Sequence, residues 1–307
     1  MSNLSKNSAG PVTAQLVGGI GNQLFIYSAA RQLAEINSSP LILDESQIGV
    51  GGTNHGSLLS ETNLKGEFKV IKKRSPKFVL RIQNYLKRLI TSKLEGNFFS
   101  RNTYNSQILG YDPNVLNLVP PVTLIGYFQS WRYVENILPK IRTEIELKDL
   151  SSWFTEISER IKVEKPIVVH VRRGDYMSLT DDFGILGAKY YERALRLVDE
   201  HISDKKVPIW VFSDDVQKAK KLLLDLGNYE ITFIDPPANA SALESMLLMS
   251  YGRAHIIANS TFSWWSAQMS QTTEIVVAPS KWFRNREDPA DLLPPEWRLA
   301  DSHWDVG

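Results

Sequence analysis

Short apolar runs alternate along this chain with longer stretches in which apolar residues return every three or four positions. Residues 12–17 make a β-rich run, a glycine cluster follows, and residues 24–36 carry helical spacing. A second apolar run at 40–43 completes strand, turn, helix, strand. That order calls for a parallel sheet, because parallel neighbours need a crossover long enough to hold a helix. Gly, Ser, Thr and Asn dominate residues 47–66, which read as a loop. A further strand is expected at 122–127, and residues 133–165 mix helical spacing with charge up to Lys165-Pro166. Beyond that point the alternation repeats. Strands are expected at 167–171, 207–212, 255–258 and 275–278, with helices at 189–202, 216–227 (stopping at Gly227) and 242–252. The fold class read from this order is α/β: two Rossmann-like domains facing across a cleft, with ligands outside the carboxyl ends of the strands. The expected divisions are a flexible tail at 1–11, a first domain at 12–155, a second at 156–285 and a closing segment at 286–307.

A length of 307 residues suits two domains. The 43% apolar and 22% charged shares are those of a soluble globular chain, which excludes a disordered or fibrous one. A net charge of +1 offers no overall basic field for nucleic acid. The absence of cysteine removes disulfides, thiolate nucleophiles and Cys-based metal sites. No apolar run reaches the length of a membrane span, and the polar opening MSNLSKNSAGP lacks the apolar core of a signal peptide, so the expected location is the cytoplasm. One segment departs from this balance. Residues 65–93 hold ten Lys and Arg against a single acid, Glu67, and Phe78, Ile82, Tyr85, Leu86, Leu89 and Ile90 share a helical face within it. Either a solvated face on a packed helix or peripheral contact with an anionic inner membrane accounts for it.

The chemistry gathers at the ends of expected strands. HVRRGDY at 170–176 closes an apolar strand with two adjacent arginines, where a ligand of a parallel sheet is expected. Arginine presents a fixed fork of donors that matches phosphate, and two of them suit a diphosphate. Gly174 permits a tight turn, and Asp175 is placed either to act in chemistry or to neutralise Arg172 or Arg173. His170 neighbours the arginines. GGIGNQLF at 18–25 joins a strand to a helix, so its backbone can approach a phosphate closely or simply turn. FSDD at 212–215 supplies Asp214 and Asp215 either to a base or ribose or to cap the next helix. HIIANSTFSWWSA at 255–267 places Asn259, Ser260 and Thr261 at a helix start, a second anion site, while Trp264 and Trp265 suit core packing. No Asp-x-Asp occurs, no P-loop or zinc signature is present, and the five histidines do not cluster, so no metal or other cofactor is expected.

These blocks in this order, with GYFQSWRYV at 126–134, KYYERAL at 189–195 and MSYGRAHII leading into the Asn-Ser-Thr run, resemble the bacterial α-1,2-fucosyltransferases of glycosyltransferase family 11. The resemblance runs from about residue 14 to about residue 297. It implies a GT-B-type fold, with the first domain on the acceptor side and the second binding GDP-β-L-fucose. It implies inverting, metal-independent transfer to the 2-hydroxyl of a terminal galactose on a glycan, free or lipid-linked. It places Arg172 on the donor's β-phosphate, His170 near the guanine, and Asp214 or Asp215 at the guanine or ribose. The hydroxyls from Ser260 to Ser263, including Thr261, fall at the diphosphate, and Gly19, Gly21 and Asn22 face it from the other domain. Tyr127 and Gln129 belong to the acceptor-side block.

In such a reaction negative charge grows on the departing diphosphate, and preformed donors aimed at it supply the largest expected effect. Arg172 is the leading residue for that role, with Arg173 in support and the Ser260 helix start assisting. Asp175 and Asp44 are both placed to be the general base, and neither is assigned. Two other readings compete: a nucleotide-dependent oxidoreductase, from the Gly19-x-Gly21 turn and Asp44, and a non-catalytic glycan-binding protein, from the eight tryptophans.

Overall fold

The computed structural model describes residues 10–49, 59–71, 102–147, 149–174, 183–204, 206–224, 226 and 229–305. The amphipathic pattern from Phe78 to Ile90, the acid Asp175, the stop at Gly227 and the first nine residues of the tail lie outside these. The chain forms two units: Met1–Glu144 with Pro289–Asp291, and Ile145–Asp288 with Leu292–Gly307.

The first unit carries a five-stranded sheet. Its strands are β1 (Val12–Gln15), β2 (Leu41–Asp44), β3 (Glu67–Lys69), β4 (Thr103–Asn105) and β5 (Val122–Ile125), in the order β3-β2-β1-β5-β4 and parallel throughout. Val12 pairs with Leu41 on one side and Val122 on the other. Helix α1 (Ile20–Ile36) is the crossover from β1 to β2, and most of it is buried. A charge sits within that buried surface. Arg31 is offset by Glu35 at 2.7 Å and by Glu144 at 3.2 Å, at the end of α2 (Leu138–Glu144), and also donates to the Tyr27 hydroxyl at 2.8 Å. A guanidinium this deep is tolerated only with such partners.

The second unit carries a six-stranded sheet of β6 (Ile167–Val171), β7 (Ile209–Ser213), β8 (Ile231–Ile234), β9 (Ala254–Ile256), β10 (Ile275–Pro279) and β11 (Arg298–Ala300). The order is β11-β10-β9-β6-β7-β8, again parallel throughout. Alternation decides the packing. Val169, Val171, Ile209 and Val211 pack with Tyr190, Leu195 and Val198 of α4 (Ala188–His201) on one face. Val168, Trp210 and Phe212 pack with Phe154, Ile157 and Ile161 of α3 (Ser152–Glu164) and Leu248 of α6 (Ala242–Met249) on the other. Helix α5 (Val216–Leu222) follows β7 and stops well short of the expected residue 227, and α7 (Thr261–Met269) follows β9.

An expected boundary at 155/156 would cut α3, which lies wholly in the second unit. Glu244 explains why. One carboxylate oxygen accepts from the Ser241 amide at 3.1 Å, capping α6, and the other accepts from Ser151, at the start of α3, at 2.9 Å. Residues from Leu292 onward also belong to this unit, through β11. Among the described residues no helix is long and apolar enough to cross a membrane.

Candidate active site

The predicted site residues lie at the carboxyl ends of strands in both sheets, and the second sheet reverses its winding there. In the second unit the chain leaves β6 for β7 and β8 on one side, then returns at β9 on the other. A parallel sheet opens a crevice at the carboxyl end of such a point. The loops after β6 and β9 that border it carry Arg172 and the Asn259–Thr261 run. In the first unit β1 and β5 lie side by side, and each is followed by a loop at the carboxyl edge of the sheet. The loops there are Gly18 to Asn22 and Gly126 to Gln129.

The arginine loop is shaped by a residue of the next strand end. Asp214 follows β7, which pairs in parallel register with β6, so the two loops emerge side by side. One Asp214 oxygen accepts from the Arg173 amide at 2.7 Å, and the other lies 3.1 Å from Arg172 Nε in an ion pair. Gly174 is required by this closeness: a Cβ there would sit 2.6 Å from Asp214 Oδ2. The Arg172 side chain keeps 21% of its surface exposed, so it is held in orientation while still open to solvent.

The two arginines, expected to act together on a diphosphate, are separated by the structure. Arg173 is buried. Its Nη1 meets Asp305 at 2.7 Å, and its Nη2 donates to the Leu186 carbonyl at 2.8 Å. It therefore secures the loop, and among the described residues Asp214 pairs with Arg172 and Asp305 with Arg173. Asp215 turns to the capping role: it accepts from the Lys218 amide at 3.0 Å and pairs with the Lys218 ammonium at 2.9 Å. The Lys218 amide, ahead of the Lys218 side chain, holds the Asp215 carboxyl below its ordinary range.

His170 lies in β6, is buried, and has its ring 5.6 Å from that of Phe262. Burial, reinforced by the Arg172 charge, pushes its pKa down to about 3, so the ring is a neutral imidazole. Its Nδ1 has no hydrogen-bond partner among the described residues. A buried ring nitrogen left without a partner is the kind of group a ligand satisfies. By contrast His255, in β9, is a satisfied core residue: Nε2 meets the Met249 carbonyl at 2.8 Å and Nδ1 the Thr273 hydroxyl at 2.9 Å.

Across the crevice of the same sheet, Ser260 caps α7, its hydroxyl accepting from the Phe262 amide at 3.4 Å, and Thr261 begins the helix half-buried. Asn259 and Ser263 do something else. The Asn259 amide donates to the carbonyls of Phe183 at 2.9 Å and Trp282 at 3.1 Å. Ser263 is fully buried, with its hydroxyl 3.3 Å from the Ser260 carbonyl. Both fix loops; neither side chain is presented to the crevice as a donor.

In the first unit, Gly18 adopts φ +72° and Gly19 precedes α1 with no side-chain cap. Gly21 is buried in the first turn of α1. Asn22 and Gln129, expected on the donor and acceptor sides, meet directly: the Gln129 amide donates to Asn22 Oδ1 at 2.9 Å. Tyr127 is half-buried beside Phe128, which is buried at φ +51°. A bulky side chain in that conformation is costly and concentrates at functional sites. Asp44 accepts from the amides of Ser46 at 3.0 Å and Ile71 at 3.1 Å, which binds the loop after β2. Among the described residues no three His, Asp or Glu side chains gather closely enough to hold a metal ion.

Sequence reasoning missed Asp305 and Asp291. Each acts from more than a hundred residues away, on Arg173 and on Arg132 respectively (2.8 Å for the second pair), and no local pattern announces such a contact.

Two parallel sheets with helices on their faces give an α/β fold of the GT-B type. The chain belongs to glycosyltransferase family 11, whose model matches residues 12–299. It is 30% identical over 296 residues to an alpha-1,2-colitosyltransferase of Escherichia coli, covering 93% of this chain and 97% of that one. It is also 30% identical over 290 residues to the O-antigen biosynthesis glycosyltransferase WbnK of Escherichia coli, with 87% and 93% covered. Among solved structures, fucosyltransferase NodZ from Bradyrhizobium matches with a TM-score of 0.53 over 91% of this chain and 98% of its own, at 14% identity, a likeness of fold. Membership of this family replaces the oxidoreductase reading: the Gly19-x-Gly21 turn belongs to a transferase.

Proposed function

We propose that the chain is an inverting glycosyltransferase that moves L-fucose from GDP-β-L-fucose to the 2-hydroxyl of a terminal β-galactoside. The observation that carries this reading is the Arg172 guanidinium at the carboxyl end of β6, held 3.1 Å from Asp214 beside a buried, neutral His170. The α-1,2 linkage in the name of one relative supports the 2-hydroxyl, and the O-antigen role in the name of the other supports a glycan acceptor, free or lipid-linked.

In this reading the acceptor oxygen attacks the anomeric carbon while the bond to GDP breaks on the opposite face. The bonding pair leaves with the diphosphate, and the hydroxyl proton passes to a base. Arg172 meets the charge that grows on the leaving group, and the Ser260 end of α7 adds amides to the same charge. Arg173 positions the loop. His170 offers Nδ1 to the nucleotide base as an acceptor or donor according to tautomer. Asp44 is committed to two amides, and Asp175 lies outside the described residues, so the base has no assigned residue. Arginine, rather than a metal ion, neutralises the diphosphate here.

The 30% identity to a colitosyltransferase favours a second donor. Colitose differs from fucose in lacking the 3-hydroxyl. The test is therefore a paired assay: GDP-fucose and GDP-colitose, each with a panel of β-galactosides in excess EDTA, read by product mass. Fucosylated product in EDTA is the expected result. Product from GDP-colitose alone would change the donor, and a need for added divalent metal would overturn the arginine-only account of the diphosphate.

A further inference from the structure

We infer that Asp305 is a positioning residue for the donor site, acting through Arg173; this rests on the reading of Arg172 as the diphosphate ligand. The segment from Ser302 to Asp305 is laced to the segment from Gly184 to Gly187. Leu186 and Trp304 form an antiparallel bridge, the Gly187 amide donates to the His303 carbonyl at 2.5 Å, and the Asp305 amide donates to the Ile185 carbonyl at 2.6 Å. Trp304 lies flat against Gly184, where a Cβ would meet its ring at 2.5 Å and where φ is +69°. No side chain other than hydrogen fits that approach.

The lacing aims two acceptors at one cation. The Leu186 carbonyl and the Asp305 carboxylate both take the buried Arg173 guanidinium, at 2.8 and 2.7 Å. Arg173 in turn shares its backbone with the ligand loop: its amide is the donor to Asp214, and Asp214 is the partner of Arg172. The chain of contacts is thus Asp305, Arg173, Asp214, Arg172, with no gap. Without Asp305 the buried Arg173 guanidinium keeps, among the described residues, only the Leu186 carbonyl as acceptor, which drives it to swing outward and pull its own amide from Asp214. The carboxylate is itself 40% exposed, so its substitution removes the grip without emptying a core position.

The prediction is specific to the donor. Asp305→Ala and Asp305→Asn should raise the KM for GDP-fucose and the dissociation constant for GDP about tenfold, the usual scale for a group that supports a ligand-binding residue. The acceptor KM should stay as in the unsubstituted chain, and Asp305→Glu should restore most of the affinity. Calorimetric GDP binding, steady-state kinetics with both substrates varied, and urea unfolding on the full chain give all three readouts. Unchanged GDP binding in Asp305→Ala overturns the inference, as does an equal rise in both KM values or a loss of fold in both Asp305→Ala and Asp305→Asn. The unsubstituted chain separates the two levels. If it does not bind GDP, the donor reading falls and this inference with it; if it binds GDP and the variants match it, this inference alone falls.

Discussion

Asp214 lies 3.1 Å from Arg172 Nε and so decides where that guanidinium points. The pair is partly solvated, so its worth to stability is small and its worth to geometry large. Asp214→Asn should lower kcat/KM by about 10- to 100-fold with little change in unfolding free energy. Gly174→Ala should do the same by another route, because the new methyl would displace Asp214 Oδ2. Steady-state kinetics beside urea unfolding checks both. Full activity in either variant would mean that Arg172 finds its orientation elsewhere.

Arg172→Lys keeps the charge and loses the planar fork. We expect activity to fall about 10²- to 10³-fold, as for the loss of one donor to a developing anion, with the fold retained. Turnover near the unsubstituted rate would remove Arg172 from its role.

Acid should weaken the fold through two histidines. His170 and His255 titrate near 3 and 4 when folded, both lowered chiefly by burial, against 6.5 when exposed. The unfolded chain therefore binds protons that the folded chain refuses. Stability is complete above pH 6.5 and falls as pH drops toward those folded values, by about 1.4 kcal/mol per unit for each histidine. Urea unfolding between about pH 7.5 and pH 5 should show the slope, and His255→Asn should reduce it by about half. A flat profile would mean that neither ring resists protonation.

Gly18→Ala should destabilise the first unit by about 1–2 kcal/mol, the cost of a left-handed conformation for a residue with a Cβ. The added methyl would also lie 2.7 Å from Asn22 Nδ2, so the Asn22 bond to Gln129 should be lost and activity should fall further than stability. Equal stability of the variant and the parent would show that the turn accommodates alanine.

The strands that could be read in advance are the central ones. Residues 12–15, 167–171, 209–213 and 275–279 are buried almost throughout, and such strands read as mainly apolar runs. The four that could not be read, β3, β4, β8 and β11, are the edges of the two sheets. Glu67–Lys69 and Arg298–Ala300 are mostly exposed and carry charge, which protects an edge and erases its pattern. The site divides along a similar line. The strand-end placement of Arg172 and His170 and the Gly18 turn are legible, because an apolar run and the residues that end it lie within a few positions. The roles of Arg173, Asn259 and Ser263 are not, since each is decided by a partner's geometry: Asp305 for the first, the carbonyls of Phe183 and Trp282 for the second, burial for the third.

Asp291 accepts from the Trp131 amide at 3.0 Å and pairs with Arg132 at 2.8 Å, and it belongs to the first unit although nearly all of the second lies between them in sequence. A ribosome makes the chain in one direction. The first sheet and α1 are therefore released early, while the acid that completes their unit is among the late residues to appear. The unit that starts first stays incomplete until all but the closing segment of the second has been made. A nascent chain paused anywhere between Glu144 and Asp291 carries Trp131 and Arg132 with their partner still to be translated.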